Sequence, residues 1–240
     1  MKLDILAFGA HPDDVELGAG GTLIKAARGG ASVGMISLTR GELGTRGTLE
    51  KRAAEFEGSA SVMKLAVHKM LSLPDGGLRP DDASREVVVW EIREHRPTIL
   101  LLPYSEDRHP DHGAASRIVE DAAFFSGLRK YDTGQEPHRP AELVYYMQSR
   151  EFTPSFVVDI SDFMEEKKRA LGSYETQVHN PSLPGAEEQT YISSEHYWEL
   201  LMARAAHYGR LIGRKYGEPF SIKGLIEIDD LVSAFKDRKF

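Results

Sequence analysis

Short, almost wholly apolar runs alternate with helix-patterned segments through the first half of the chain. That alternation dictates a parallel sheet covered by helices on both faces. Leu3 to Ala10 is the first such run, and the helical stretch Leu17 to Arg28 follows it, ended by Gly29 and Gly30. Ser32 to Thr39 reads as the second strand. Thr48, with Glu50 and Lys51 behind it, opens a helix running to about Lys64, and Leu65 to Leu73 fits a third strand. The turn-rich loop PDGGLRP, Pro74 to Pro80, precedes a helix capped by Asp81 or Asp82 that ends before Pro97. TILLLP, Thr98 to Pro103, is the next buried strand, and Gly113 to Phe125 reads as a helix. Later strands are expected at Leu143 to Met147 and Phe156 to Ile160, with helices at Asp162 to Tyr174 and Ser194 to Tyr216. The expected fold class is α/β: a Rossmann-like, mainly parallel sheet with helices on both faces, residues 1–240 forming one domain.

Bulk properties exclude several functions. A formal net charge of −7 disfavours nucleic acid or an anionic membrane as a partner. No apolar run approaches the ~18 residues of a membrane helix. Acidic residues occur too early in MKLDILAFGAHPDD for a signal peptide. The chain has no cysteine, which excludes disulfides, thiol nucleophiles and thiolate metal sites and fits a cytoplasmic location.

In an open parallel sheet the ligand sits beyond the carboxyl ends of the strands. Three polar, irregular loops are expected at that edge: His11 to Glu16 after the first strand, Arg40 to Thr48 after the second, and Tyr104 to His112 after TILLLP. The first lies in AHPDDVELGAGG, Ala10 to Gly21, which has three readings. Helix capping accounts for one aspartate but requires neither His11 nor a second acid. Phosphate binding fails on register, because Leu23 stands where G-x-G-x-x-G needs its third glycine; Gly18, Gly20 and Gly21 are better read as permitting close helix–strand packing. The third reading is a metal site. His11 and Asp14 can reach one ion if Pro12 turns the chain, and HPDH, His109 to His112, offers a third ligand from another strand end. Two imidazoles and a carboxylate suit catalytic Zn²⁺ with an open fourth position, although Fe²⁺ takes the same ligands.

AHPDDVE (Ala10 to Glu16), RGELGT (Arg40 to Thr45) and HPDH (His109 to His112) together resemble the LmbE-like (PIG-L) family of zinc-dependent N-deacetylases. The resemblance covers most of the chain and is weakest after about Ser182. Within the family it is strongest to the bacillithiol-pathway deacetylases, which act on N-acetylglucosaminyl malate. It implies an LmbE-like deacetylase fold in which residues 1–125 form the metal-binding half. Residues 126–240 then complete the substrate site and the oligomer contacts. By the same resemblance His11, Asp14 and His112 are the zinc ligands and Asp13 the general base. His109 matches the charged partner of the oxyanion, with Asp111 orienting it. Arg52 and Arg108 suit an anionic aglycone such as malate, and Glu42 the sugar hydroxyls. Asp107 is a departure, since some relatives have there a tyrosine that assists the oxyanion. Relatives are often oligomeric, hexamers among them, so a homo-oligomer is expected.

The chemistry requires such groups. An acetamide is a poor electrophile, and a metal both polarises its carbonyl and lowers the pKa of bound water toward ~7. A neighbouring carboxylate can take the water's proton, and adjacent Asp13 and Asp14 can diverge to divide these roles. The physics alone leaves open which does which, and the resemblance assigns Asp14 to the metal. A protonated His109 would stabilise the oxyanion, and Asp13 in its acid form would protonate the departing amine. Other groups have plainer readings. Glu16 is expected to orient His11 or cap the helix; Arg52 has the alternative of a surface pair with Glu55 or Glu57. His68, His95, His138, His196 and His207 read as surface or packing residues. His179, in QVHNP, reads as a solvated loop residue with a lid as the alternative. The expected activity is therefore hydrolysis of the N-acetyl group of an N-acetylglucosamine conjugate, most specifically the malate conjugate. The alternatives are deacetylation of a chitooligosaccharide or another amino sugar, and a non-catalytic sugar- or nucleotide-binding module.

Overall fold

The computed structural model describes residues 1–179 and 189–236. In chain order the elements are β1 (Ile5–Gly9), α1 (Asp14–Arg28), β2 (Val33–Ser37), α2 (Leu49–Met63), β3 (Val67–Met70), α3 (Asp82–His95), β4 (Ile99–Pro103) and α4 (Pro110–Ser126). There follow β5 (Glu142–Tyr146), β6 (Phe156–Asp159), α5 (Met164–Gly172), α6 (Glu195–Leu211), β7 (Gly217–Ser221) and α7 (Leu231–Phe235). The strands form one sheet in the order β3-β2-β1-β4-β5-β7-β6. The first five are parallel in register; β7 runs antiparallel to both β5 and β6. From β1 the chain winds outward through β2 to β3, then crosses back to place β4 on the other side of β1. This topological switch opens a crevice beyond the carboxyl ends of β1 and β4.

Alternation along β1 divides the core. Leu6 and Phe8 pack with Val88 and Ile92 of α3 and Ile118 and Ala122 of α4. Ala7 faces the other way, with Leu23 and Ile24 of α1, Phe56 of α2 and Ala170 of α5. The glycines of α1 serve contact, as expected: a Cβ on Gly21 would stand 2.8 Å from Ile160 Cδ1.

Element ends differ from expectation in informative ways. Helix α1 begins at Asp14 rather than Leu17, and α4 at Pro110 rather than Gly113, so both histidine motifs form helix starts. Proline suits this first position because its missing N–H would have no partner there. The helix expected over Ser194 to Tyr216 stops at Leu211, and the chain returns as β7 between β5 and β6. That strand reads GEPFS; its glycine and proline argue against an interior strand and hide it from pattern reading. What secures it is Glu218, buried and fully bonded. Its carboxylate accepts from Gly21 N (2.9 Å), Thr22 N (2.7 Å), Thr22 Oγ1 (2.6 Å) and Lys167 Nζ (2.5 Å).

Candidate active site

Beyond β1, residues Ala10 to Asp13 reverse the chain into α1. Asp13 occupies the left-handed region at φ 106°, ψ −27° and makes no capping hydrogen bond. A non-glycine residue held there stores strain that the surrounding structure must impose. Capping therefore does not explain Asp13. Asp14 closes the turn instead, its Oδ2 accepting from His11 N at 2.9 Å.

The Asp14 carboxylate joins two histidines from different strand ends. Oδ2 lies 3.5 Å from His11 Nδ1, and Oδ1 lies 3.1 Å from His112 Nε2. The opposite nitrogen of each ring is held by another carboxylate. His112 Nδ1 meets Asp107 Oδ1 at 2.8 Å, while His11 Nε2 lies 3.0 Å from Asp75 Oδ1 and 3.2 Å from Asp111 Oδ2. Metal-binding imidazoles characteristically carry such an acceptor on their far nitrogen, where it fixes the ring and raises its basicity. Asp107 also accepts from the amides of His109, Ser149 and Arg150, which ties its own loop to the segment after β5. Gln148 Nε2 donates to Asp14 O at 3.2 Å and supports the turn from behind.

Donor atoms that all lie within 4.8 Å of one another form two triads among the described residues, His11, His109 and His112, and His11, Asp75 and Asp111; the expected set of His11, Asp14 and His112 is not one of them. Bonding favours the Asp14 set over both. His109 Nδ1 accepts the Asp111 backbone N–H at 3.2 Å, which leaves the ring proton on Nε2 and makes the residue a donor. Asp75 and Asp111 are occupied in holding the far nitrogen of His11.

Charge follows this geometry. Burial presses the His11 imidazole toward neutrality, but Asp111, Asp14 and Asp75 prevail and raise its pKa well above the ordinary value. The His112 pKa lies at about 9, with Asp14 and Asp107 outweighing burial. Burial opposes the charge of Asp14, yet His112 and His11 hold its carboxyl well below the usual range. Asp13 goes the other way: burial and the Asp14 charge push its carboxyl well up, with Arg52 and His11 opposing. Burial and the neighbouring His11 and His112 lower the pKa of His109.

These groups line a cavity of ≈ 410 Å³ that also includes Arg52, Asp75, Arg108, Gln148, Gln177, Tyr191 and Tyr197. Arg52 is buried and donates to Gln177 Oε1 rather than pairing on the surface; Glu55 accepts instead from Thr176. Arg108 lies exposed at the rim with its guanidinium 4.8 Å from the Tyr191 ring centroid.

Four residues are placed otherwise than expected. Glu42 is absent from the cavity lining; its Oε1 accepts from Asp75 N at 2.9 Å and shapes the loop that delivers Asp75. The Asp111 carboxylate holds His11 and Gly76 N, so His109 is oriented by the Asp111 backbone amide rather than by its side chain. The lowered pKa of His109 works against the imidazolium expected there. Glu16 is fully buried and its Oε1 accepts from Ser59 Oγ (2.7 Å) and Tyr174 OH (2.6 Å), which ties α1 to α2 and to the turn after α5 rather than orienting His11. His179 is half-buried and outside the cavity lining, and the remainder of its motif, 180–181, lies outside the described residues. Sequence reasoning missed Asp75, Gln148, Tyr191 and Tyr197. Only Asp75 left a signal, as an acid in a glycine-rich loop after a strand.

Comparison with known proteins identifies the family. The family model described as GlcNAc-PI de-N-acetylase (PIG-L) matches residues 6–123, which include both histidine motifs. A diacetylchitobiose deacetylase of Thermococcus kodakarensis is 30% identical over 233 residues, covering 89% of this chain and 80% of its own. Among solved structures, the conserved protein TT1542 of Thermus thermophilus superposes with a TM-score of 0.86 at 35% identity, covering 95% of this chain and 98% of its own. The N,N'-diacetylchitobiose deacetylase of Pyrococcus horikoshii, solved with an inhibitor, gives 0.79 at 26% identity, covering 91% and 82%.

Proposed function

The chain belongs to the PIG-L family of de-N-acetylases, and from that premise we propose that it is a zinc enzyme removing acetyl from an N-acetylglucosamine unit within a larger conjugate. The observation that carries this reading is the pairing at Asp14. Two imidazole nitrogens converge on its carboxylate while other carboxylates hold their far sides. His11, Asp14 and His112 would hold the ion; His109 and Asp13 remain for proton and charge work. Bound there, zinc would polarise the acetamide carbonyl and acidify the attacking water.

The protein's own groups do the rest. Asp13 lines the cavity beside Asp14, on the strained turn between β1 and α1. It takes the proton of the attacking water and returns it to the departing amine. Arg52 lowers the cost of charging Asp13 in a buried place. His109 donates its Nε2–H to the developing oxyanion, a contact typically worth about 3 kcal/mol. Burial favours the neutral form of His109, and a neutral donor needs no protonation step first.

For the aglycone, the favoured reading is a second amino-sugar ring. It is supported by the similarity to a diacetylchitobiose deacetylase over 89% of the chain. It is also supported by the engagement of both arginines, Arg52 with Gln177 and Asp13, Arg108 with the Tyr191 face. The second reading is the malate conjugate of bacillithiol biosynthesis, favoured by the presence of those two guanidinium groups in the cavity wall. The test is acetate release from N-acetylglucosamine, N,N'-diacetylchitobiose and N-acetylglucosaminyl malate, with and without a chelator. Chelator-sensitive release restored by zinc is expected, fastest on the disaccharide. Release indifferent to chelation, or none from any acetamido sugar by the zinc-loaded protein, would refute the proposal.

A further inference from the structure

Beside the catalytic cavity lies a second one of ≈ 340 Å³. Gln148, Ser149, Tyr191 and Tyr197 line both, forming a ridge between them. The ridge is tied to the metal-site turn, because Gln148 donates to Asp14 O and its own carbonyl accepts from Arg204. Tyr191 is 49% exposed, yet its ring is braced on two sides, 5.0 Å from the Tyr197 ring and 4.8 Å from the Arg108 guanidinium.

We propose that this second cavity seats the neighbouring pyranose ring of the substrate while the acetamido sugar occupies the catalytic cavity. The inference rests on the reading of the chain as a deacetylase of N-acetyl amino sugars. A pyranose presents a face of C–H groups and a rim of hydroxyls. The cavity offers the matching surfaces: the two tyrosines and Leu200 for the face, Glu151, Ser149 and His207 for the rim. Among the described residues Arg204 is the one guanidinium in its wall, and it is engaged with the carbonyls of Gln148 and Leu17. With that charge directed into the scaffold and Glu151 facing it, the cavity suits a neutral polyol better than a carboxylate. Leu200 is 43% exposed, an apolar side chain that a sugar face would cover.

The test is calorimetric binding to the zinc-loaded protein of glucosamine and of its β-1,4-linked dimer, neither of which carries an acetyl group to lose. The dimer is expected to bind about tenfold more tightly. Leu200→Trp, which fills the cavity from an exposed position, should bring the ratio to about one, and His207→Ala should lower it part of the way. Circular dichroism and melting curves verify that both variants fold. Equal affinities in the unaltered protein, or a ratio that Leu200→Trp leaves intact, would overturn the subsite. Acetate release is read separately. Release with equal affinities removes the subsite and keeps the deacetylase; a dimer preference sensitive to Leu200→Trp without release does the reverse.

Discussion

Asp13 concentrates two costs in one residue. Its backbone is strained, and its carboxyl is buried next to Asp14. A residue that costs stability on both counts has no structural reason to be there, so removing it should separate stability from activity. Asp13→Gly is expected to raise stability by about 1 kcal/mol, measured by urea denaturation, and to abolish acetate release. Asp13→Asn, which retains the shape, should lower kcat by about 10²-fold or more while metal content stays unchanged in elemental analysis. His112 makes the second prediction at this scale. Its imidazole must be neutral to bind an ion, yet its pKa is about 9 without one. Zinc bound there as proposed would therefore displace a proton at neutral pH, and its apparent affinity should fall as pH drops from 9 toward 6. Calorimetry in buffers of differing ionisation enthalpy should read net proton release. The opposite sign holds for the ion-free chain: a raised folded pKa gives stability that is full below about 6.5 and is lost as pH rises through about 9.

Among the elements, α1 is held by contacts from a strand that the sequence pattern conceals. Lys167 of α5 donates to Glu218 of β7 and to Leu17 O, while Glu218 also takes two amides of α1. Both side chains are about 3% exposed, so neither charge has water to fall back on. Breaking the pair should cost about 3–5 kcal/mol, and Lys167→Met and Glu218→Ala should show it as a lowered urea midpoint. Because α1 carries Asp14, zinc affinity should fall in the same variants. At this level much was legible. Thr48 and Asp81 cap α2 and α3 as local rules require, their side chains accepting from Lys51 N and Ser84 N. What local rules did not supply was β7, because Pro219 and Gly217 are tolerated there only through a buried partner network formed after folding.

For the whole molecule, acid should act through depressed carboxylates. Asp107, Asp111, Asp75 and Glu91 all lie below their ordinary values, each opposing its burial by bonds to histidine, backbone amide or lysine. A depressed folded pKa gives stability that is present above the unfolded value and lost as pH falls through the folded one. Urea midpoints should therefore decline as pH falls below the ordinary carboxylate range, around 4. No helix among the described residues is long and apolar enough to cross a membrane.

The sequence by itself determined the parallel strands of the sheet, most helix starts and the motifs that lie at its carboxyl edge. Those features depend on periods of two and 3.6 residues, on caps, and on motifs of a few adjacent positions. The tertiary structure alone decided the pairings within the site. Asp111 serves His11 rather than His109, Asp107 serves His112, and Asp75 arrives from a loop that carries no ligand motif. His11 and Asp111 are 100 residues apart, and a hydrogen bond is made or lost over less than an ångström. Only the packing of β1 against β4, with the helices that follow each, sets positions that finely.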